Sequence, residues 1–295
     1  MREVWILFSF VGAALALGTL VVLLIRRRLG PENLTGRNLV DRALGWAWII
    51  AALAAAFGLG RWAVLALFAF VGLQGLRELC SRRSLWPRRD YLSMAVVFYA
   101  LFPAAIALVP FSAFGRIFPW VGLAGLLAVA ASRSGPDFRF RAAVLACLWG
   151  LVHAPALLFL PGNQGPVLLG FLLLVVQSSD VAQYIAGRSL GRHPLTRISP
   201  AKTWEGFVGG LLWSVGLGLL LRPMVPFTFA EAAFLAALVY LLGVAGGLLL
   251  SAVKRDLGLK DWGRLLPGHG GMLDRADSLV LAAPVFYYAV RWMQR

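Results

Sequence analysis

Long uninterrupted apolar stretches recur along this 295-residue chain, and they restrict its fold more than any other feature. Each is roughly 16–24 residues long, the length that a helix needs, at about 1.5 Å per residue, to cross a hydrocarbon core of about 30 Å. With 60% hydrophobic and 14% charged residues, the chain has more apolar surface than a soluble domain of this size can bury. The predicted fold class is therefore an all-α, polytopic integral membrane protein.

The apolar stretches predict about ten transmembrane helices, with nine as the alternative count. They lie at about 4–25, 43–58, 61–76, 93–110, 116–131, 142–160, 166–186, 206–221, 229–250 and 277–292. Only Leu59 and Gly60 separate the second stretch from the third, so one re-entrant hairpin is the alternative there.

The net charge of +15 is distributed in a way that indicates an orientation in the membrane. Lys and Arg are concentrated in alternate loops of the ten-helix arrangement, and the positive-inside rule places those loops in the cytoplasm and both termini outside. A nucleic-acid-binding protein would concentrate this charge on one folded face, so nucleic acid is not an expected partner. We expect a multi-pass protein of the cell inner (plasma) membrane.

Specific polar residues are concentrated in the C-terminal part of the chain. Residues 1–165 predict N-terminal transmembrane helices without a specific role, and residues 166–295 predict a transmembrane catalytic region with cytoplasmic loops 187–205 and 251–276. The second loop and the residue after it contain four of the 13 acidic residues, Asp256, Asp261, Asp274 and Asp277. A loop that only connected helices would not need this density of acids.

The end of that loop has the composition of an anion and metal site. Asp274 and Asp277 are three residues apart at the positive end of the last predicted helix, and two carboxylates on one face suit Mg²⁺. An N-cap followed by an ordinary first-turn acid is the alternative. Gly270 and Gly271 let backbone N–H groups approach a phosphate, although an ordinary turn also needs such glycines. His269 is a phosphate donor in this interpretation, or only a residue that fixes the turn.

A second group of polar residues surrounds the first cytoplasmic loop. Asp180 lies inside the cytoplasmic part of a predicted helix, where a carboxylate is costly unless it has a partner. Function is the default interpretation, and a hydrogen-bonded helix contact with residues 177–179 is the alternative. The positive-inside rule explains the arginines of the following loop, but it explains Ser199, Thr203 and Glu205 poorly.

The two groups together provide carboxylates for a metal and cations for a polyphosphate at the level of the lipid headgroups. Phosphoryl-type transfer needs these components, because its catalysis depends on positioning and on neutralising charge on phosphate oxygens. The sequence therefore predicts a site where a lipid phosphate meets a nucleotide.

The spacing of these residues resembles a known family, the phosphatidate cytidylyltransferases (CDP-diacylglycerol synthases). The resemblance is carried by Ser251, Lys254-Arg255, Lys260-Asp261-Trp262-Gly263, and the run from Leu266-Pro267-Gly268-His269-Gly270-Gly271 to Asp274-Arg275-Ala276-Asp277. A second segment, Ser179-Asp180 to Tyr184 and Ser199-Pro200 to Gly206, is similar to the same family. The likeness covers about 166–290 well, and the N-terminal half only by hydrophobic pattern.

The resemblance implies that CTP and phosphatidic acid react to give CDP-diacylglycerol and pyrophosphate at a membrane. It implies catalysis by Asp180, Lys260, Asp274 and Asp277, and Mg²⁺ ligation by Asp180, Asp261, Asp274 and Asp277. It implies substrate binding by Ser199, Lys202, Thr203, Lys254, Arg255, His269, Gly270, Gly271 and Arg275. Two metal ions, a monovalent cation and a homodimer stay open at this point, and membrane lipids are expected partners.

The chain departs from the family pattern just before the Lys-Arg pair. The family commonly has Gly-Asp-Leu and then Glu-Ser, whereas this chain has Gly246-Gly247-Leu248 and then Leu250-Ser251. Either Asp180 or Asp261 completes the site, or the chain is a divergent branch with another lipid phosphate as substrate, or a non-catalytic paralogue. We favour a working enzyme, because the charged loop would otherwise be costly to keep.

Three other functions fit the sequence less well. A transporter would show inverted repeats and mid-span polar residues in both halves, and the first half has almost none. A CDP-alcohol phosphotransferase would show an Asp-Gly and Ala-Arg run with further spaced aspartates. A lipid kinase would be expected to have a Gly-rich loop that ends in Lys-Ser or Lys-Thr.

Overall fold

A computed structural model describes residues 5–9, 34–81, 137–160, 162–263, 265 and 270–293, together with positions 12, 16, 19, 20, 23 and 27. All regular secondary structure in these residues is helical, and an isolated antiparallel bridge joins Pro194 to Thr203. The predicted all-α class is confirmed for this part of the chain.

Nine α-helices are defined from residue 34 onward within the described ranges. In chain order they are α1 (Leu34–Leu59), α2 (Arg61–Cys80), α3 (Asp137–Leu151), α4 (His153–Ala156), α5 (Gly165–Leu190), α6 (Trp204–Leu221), α7 (Phe229–Asp256), α8 (Leu273–Ala276) and α9 (Leu279–Met293). Short 3-10 turns follow α4 at Leu157–Phe159 and α6 at Arg222–Met224.

Five helical segments in the described part of the chain are long and apolar enough to cross a membrane. They are Arg61–Cys80, Arg139–Phe159, Gly165–Leu190, Trp204–Met224 and Phe229–Asp256. Each overlaps one of the predicted transmembrane stretches, and the chain is a membrane protein.

The count of ten stays a prediction. The stretches 93–110 and 116–131 lie outside the described residues, as does most of 4–25. The apolar part of α1 is the shorter segment Ala43–Leu59, and α9 has 15 residues.

A sharp break separates α1 from α2. Gly60 has a φ of 103°, a conformation that favours glycine, and its N–H donates to the carbonyl of Ala56 at 3.1 Å. The stretches predicted around Gly58 and Gly60 are thus two separate helices, and they pack against each other.

Small residues allow α6 to pack closely between α5 and α7. Gly206, Gly210, Ser214 and Gly218 form a buried stripe at four-residue spacing along α6. Ser214 Oγ donates to the Ala236 carbonyl of α7 at 2.6 Å, so the contact includes a hydrogen bond. Helices in lipid gain little from the hydrophobic effect and associate through such close packing.

Small residues also allow α7 to pack closely against the break between α8 and α9. A Cβ on Gly246 would lie 2.6 Å from the Asp277 carbonyl oxygen, and a Cβ on Gly243 would lie 3.5 Å from Ser278 Cβ. The break carries Asp277 and Ser278, so this approach brings their side chains beside α7 and fixes the location of the polar cluster.

We expect Gly246→Ala to lower the thermal unfolding midpoint of the detergent-purified protein. The added methyl forces α7 away from the Asp277 carbonyl, and overpacking of this kind costs about 1–3 kcal/mol. Gly216→Ala on α6 is the matched control, because a Cβ there has no neighbour within 4 Å. Equal midpoints for the two variants would contradict the close approach of α7 to the break.

Candidate active site

The Asp274 carboxylate joins three segments of the polar cluster. Its Oδ1 accepts from Lys254 Nζ at 2.8 Å, and its Oδ2 accepts from the backbone N–H of Trp262 at 2.8 Å and of Gly271 at 2.9 Å. The side chains of Lys254 and Asp274 are only 11% and 5% exposed. Charge-assisted bonds of this kind are short and strong, so Asp274 holds the end of α7, the following loop and the 270–271 turn together.

The turn that precedes Asp274 depends on Gly270. Its φ of 83° lies in the left-handed region, where side chains are unfavourable. A Cβ on this residue would also lie 2.8 Å from Asp274 Oδ2. The glycine therefore permits both the turn and the close approach of the carboxylate.

A second cluster joins two carboxylates from different helices through one hydroxyl. Ser278 Oγ donates to Asp180 Oδ2 at 2.5 Å and lies 3.3 Å from Asp277 Oδ1. The Ser278 N–H also donates to Asp277 Oδ1, at 2.9 Å. The predicted pair Asp180 and Asp277 is therefore brought together, although the residues are far apart in sequence.

Lys202 lies beside this acid pair. A Cβ on Gly247 would be 3.4 Å from Lys202 Nζ and 3.7 Å from Asp277 Oδ2. The loop that carries Lys202 is held by a bond from Leu195 N to the Lys202 carbonyl at 2.7 Å and by one from Lys202 N to the Ser199 carbonyl at 3.0 Å. The Lys202 ammonium group thus lies close to Asp277 and within electrostatic reach of Asp180.

The electrostatics of the pair favour a bound cation. Asp277 lies in the break before α9, outside the five long apolar helices. Burial raises the pKa of the Asp277 carboxyl to about 6, the Asp180 carboxylate contributes in the same direction, and Lys254 and Lys202 oppose both. Two partly buried carboxylates in one place repel each other, and a cation between them relieves that repulsion.

The oxygen atoms of Asp180 and Asp277 fit a divalent ion such as Mg²⁺, which prefers one or two carboxylates with waters and phosphate oxygens. Within the described residues, no group of three or more Asp, Glu, His or Cys side chains is arranged to hold a metal. A metal at this pair would need further oxygens from substrate or water.

Other predicted site residues lie farther out or have structural contacts. Lys260 and Asp261 are exposed, and Arg255 is exposed with its Nη1 donating to the Leu259 carbonyl at 3.1 Å. Thr203 Oγ1 accepts from Gly206 N at 3.1 Å and caps α6.

Three further predictions concern residues around these loops. The Arg275 carbonyl accepts from Gln177 Nε2 at 3.1 Å, and Ser178 Oγ accepts from Trp213 Nε1 of α6 at 3.0 Å, so two members of the 177–179 group do make helix contacts. Ser199 supplies the carbonyl that closes the Lys202 turn. His269 lies outside the described residues.

Two residues of the cluster were not predicted from the sequence. Ser278 bridges the acid pair, and its place directly after Asp277 was the available signal. Glu78 of α2 accepts from the N–H groups of Met272 and Leu273, at 2.9 Å each. Nothing in the local sequence of Glu78 indicates this contact, because the partners are almost two hundred positions away.

Comparison with known proteins shows the family to which the chain belongs. The model of the cytidylyltransferase family matches residues 40–293, which includes Glu78 and both acid clusters. The chain belongs to the cytidylyltransferase family. It is therefore a nucleotidyltransferase, and both the predicted family and the predicted enzyme class are confirmed. The match also extends well into the N-terminal half, where the resemblance rested only on the hydrophobic pattern.

Several relatives of this cytidylyltransferase are similar over different lengths. Uncharacterized protein YnbB of Escherichia coli (strain K12) is 35% identical over 295 residues, with 95% of this chain and 96% of the relative covered. Phosphatidate cytidylyltransferase of Brucella suis biovar 1 (strain 1330) is 37% identical over 223 residues, with 64% and 83% covered. Phosphatidate cytidylyltransferase of Mycobacterium leprae (strain TN) is 45% identical over 119 residues, with 39% and 37% covered.

We expect Asp274→Asn to destabilise this cytidylyltransferase strongly. The variant leaves Lys254 buried without its ion-pair partner, and breaking a buried pair in this way costs about 3–5 kcal/mol. Thermal unfolding and trypsin cleavage after the exposed Lys260 measure the global and local effects.

Asp256→Asn is the matched control for this prediction. Asp256 pairs with Arg139 at 3.2 Å, but the two side chains are 38% and 56% exposed, so the loss is expected to stay below about 1 kcal/mol. Similar stability losses in the two variants would contradict the role of Asp274 as the residue that joins the three segments.

Proposed function

We propose that this protein transfers a cytidylyl group from CTP to phosphatidic acid and releases pyrophosphate, which makes CDP-diacylglycerol. The observation that carries the proposal is the meeting of Asp180 and Asp277 through Ser278, with Lys202 facing them. The names of the relatives from Brucella suis and Mycobacterium leprae support the choice of substrates.

In the proposed reaction, a phosphatidate oxygen attacks the α-phosphorus of CTP. A bond forms between this oxygen and the α-phosphorus, and the bond from the α-phosphorus to the bridging oxygen of pyrophosphate breaks. The attacking oxygen is already ionised near neutral pH, so the reaction needs no general base. Catalysis then depends on holding two anionic substrates together and on neutralising the charge of the phosphates.

The cations of the site divide into an inner and an outer set. Lys202 faces the acid pair and is the residue we assign to the reacting phosphates. Lys254 is bound to Asp274 and keeps the loop in place. Arg255 and Lys260 are exposed on the loop after α7, where they are suited to guide CTP and the lipid headgroup to the site.

Mg²⁺ is the proposed cofactor, with Asp180 and Asp277 as its protein ligands. When bound, such an ion neutralises charge on phosphate oxygens and orients them. Asp274 already accepts three hydrogen bonds within the protein. We therefore propose that Asp274 organises the site, that Asp261 on the exposed loop is peripheral, and that substrate oxygens complete the coordination.

We propose that the site opens to the cytoplasm at the inner (plasma) membrane, with both chain termini outside. The loops that carry Lys202, Arg255 and Lys260 are rich in basic residues, and the positive-inside rule predicts that such loops lie in the cytoplasm. Phosphatidic acid would reach the site from the cytoplasmic leaflet. In that leaflet its headgroup lies at the same depth in the membrane as the ends of α5 and α7.

The first test is conversion of radiolabelled CTP and phosphatidic acid to CDP-diacylglycerol by detergent-purified protein with Mg²⁺. We expect product from the wild type and from Asp256→Asn, and a loss of at least about a hundredfold in Asp277→Asn, since the acid pair organises the charge-neutralising centre. No product from the wild type with any divalent metal would overturn the substrate assignment. Full activity in Asp277→Asn would overturn the assigned site.

A second candidate function is the same transfer to a different lipid phosphate. The observation that favours it is Gly247, which has no side chain at the position beside Lys202 and Asp277 where the family pattern has an acid. Incubation with CTP and a total lipid extract, followed by mass spectrometry of CDP-lipids, separates the two candidates by the identity of the product.

We expect Gly247→Asp to lower the Mg²⁺ concentration that gives half the maximal rate by about threefold or more. The new carboxylate would lie next to Asp277, and affinity for hard cations rises with the charge of the ligand set. Gly247→Asn has nearly the same shape without the charge and is the control. An equal Mg²⁺ requirement in both variants would show that position 247 does not face the metal.

A further inference from the structure

Glu78 is a buried carboxylate in α2, in the part of the chain for which no specific role was predicted. It is 7% exposed, and its carboxylate accepts hydrogen bonds from two backbone N–H groups and a side-chain amide. Oε1 accepts from Met272 N at 2.9 Å and Oε2 from Leu273 N at 2.9 Å, while Gln74 Nε2 lies 3.5 Å from Oε1. One carboxylate therefore binds two consecutive backbone N–H groups directly before Asp274.

The backbone packs closely around this carboxylate at glycine residues. A Cβ on Gly271 would overlap Glu78 Oε2, and a Cβ on Gly263 would lie 2.9 Å from Glu78 Oε1. On the same face of α2, a Cβ on Gly75 would lie 3.3 Å from Leu273 Cδ1. Three glycines on three segments thus allow α2 to contact the turn that carries the site.

The contacts of Glu78 and Asp274 form one continuous chain. Glu78 fixes the N–H groups of residues 272 and 273, and the next residue, Asp274, binds Lys254 and the N–H groups of Trp262 and Gly271. Asp277 and Ser278 follow within one helical turn. A shift of the 272–273 backbone would therefore move both acid clusters relative to α5 and α7.

We propose that Glu78 is a positioning residue of the active site, through which the N-terminal half sets the geometry of Asp274 and Asp277. This inference rests on the proposed function for its kinetic readout, but its structural readout is independent of any substrate. A carboxylate suits the role because it accepts both N–H groups at once, and a buried N–H without a partner is costly.

The test is Glu78→Gln in the full-length, detergent-purified protein. The amide keeps the volume of the side chain. Its NH₂ group, however, cannot accept a hydrogen bond, so one of the two backbone N–H groups loses its acceptor. We expect kcat, normalised to folded protein, to fall by about tenfold or more, because small displacements of catalytic groups are costly. We also expect faster hydrogen exchange in the peptide that covers residues 270–275, with unchanged exchange in α3 and α9.

Glu231→Gln is the matched control. Glu231 also accepts a backbone N–H, that of Thr228 at 2.8 Å, but in the exposed cap of α7 and away from the site. We expect wild-type kcat and wild-type exchange at residues 270–275 in this variant.

Gly263→Ala provides a second test that leaves Glu78 in place. Its methyl would crowd Oε1 and displace the carboxylate, so we expect the same local increase in exchange. This variant decides the question if Glu78→Gln does not fold.

The outcomes separate this inference from the proposed function. Wild-type exchange and wild-type kcat in Glu78→Gln would overturn the positioning role, and so would uniformly faster exchange throughout the protein. If the wild-type protein makes no CDP-diacylglycerol, the proposed function fails, and local exchange at residues 270–275 still tests the structural part of the inference.

Discussion

The buried carboxylate of Asp274 is the interaction on which the rest of the polar cluster depends. A charge at this depth is stable only when its partners are complete, and Asp274 has an ammonium group and two backbone N–H groups at 2.8–2.9 Å. Those partners belong to α7, the following loop and the glycine turn. One side chain therefore sets the relative positions of the end of a helix, a loop and a turn.

Helix packing brings the second acid cluster to the same place. The hydrophobic effect contributes little to helix association in lipid, so these helices associate through close packing. Glycines on α6 and α7 permit this close backbone contact. Because α7 approaches the Asp277 carbonyl so closely, the α8–α9 break points its side chains at Asp180 of α5. The acid pair and Lys202 then form a compact centre of mixed charge at the ends of membrane helices. The proposed reaction between two phosphates requires such an arrangement of charges.

The site is also a product of both halves of the chain. Glu78 of α2 supports the turn before Asp274, and the family match that starts at residue 40 includes this helix. The N-terminal helices are thus more than a membrane anchor for the C-terminal loops. Gly247 is one of the two positions where this member differs from the family pattern, and it lies beside Lys202 and Asp277 rather than at the edge of the site.

The sequence by itself determined the helical class, the membrane setting, the family and most members of the site, because hydrophobic length and the spacing of Asp274 and Asp277 are local properties. Only the tertiary structure decided which acids meet. It separated the predicted metal ligands into Asp274, whose oxygens bind within the protein, and the pair Asp180 and Asp277, joined through Ser278. It also revealed Glu78. These contacts depend on how closely helices approach in lipid, and no local pattern encodes the distance between residues almost two hundred positions apart.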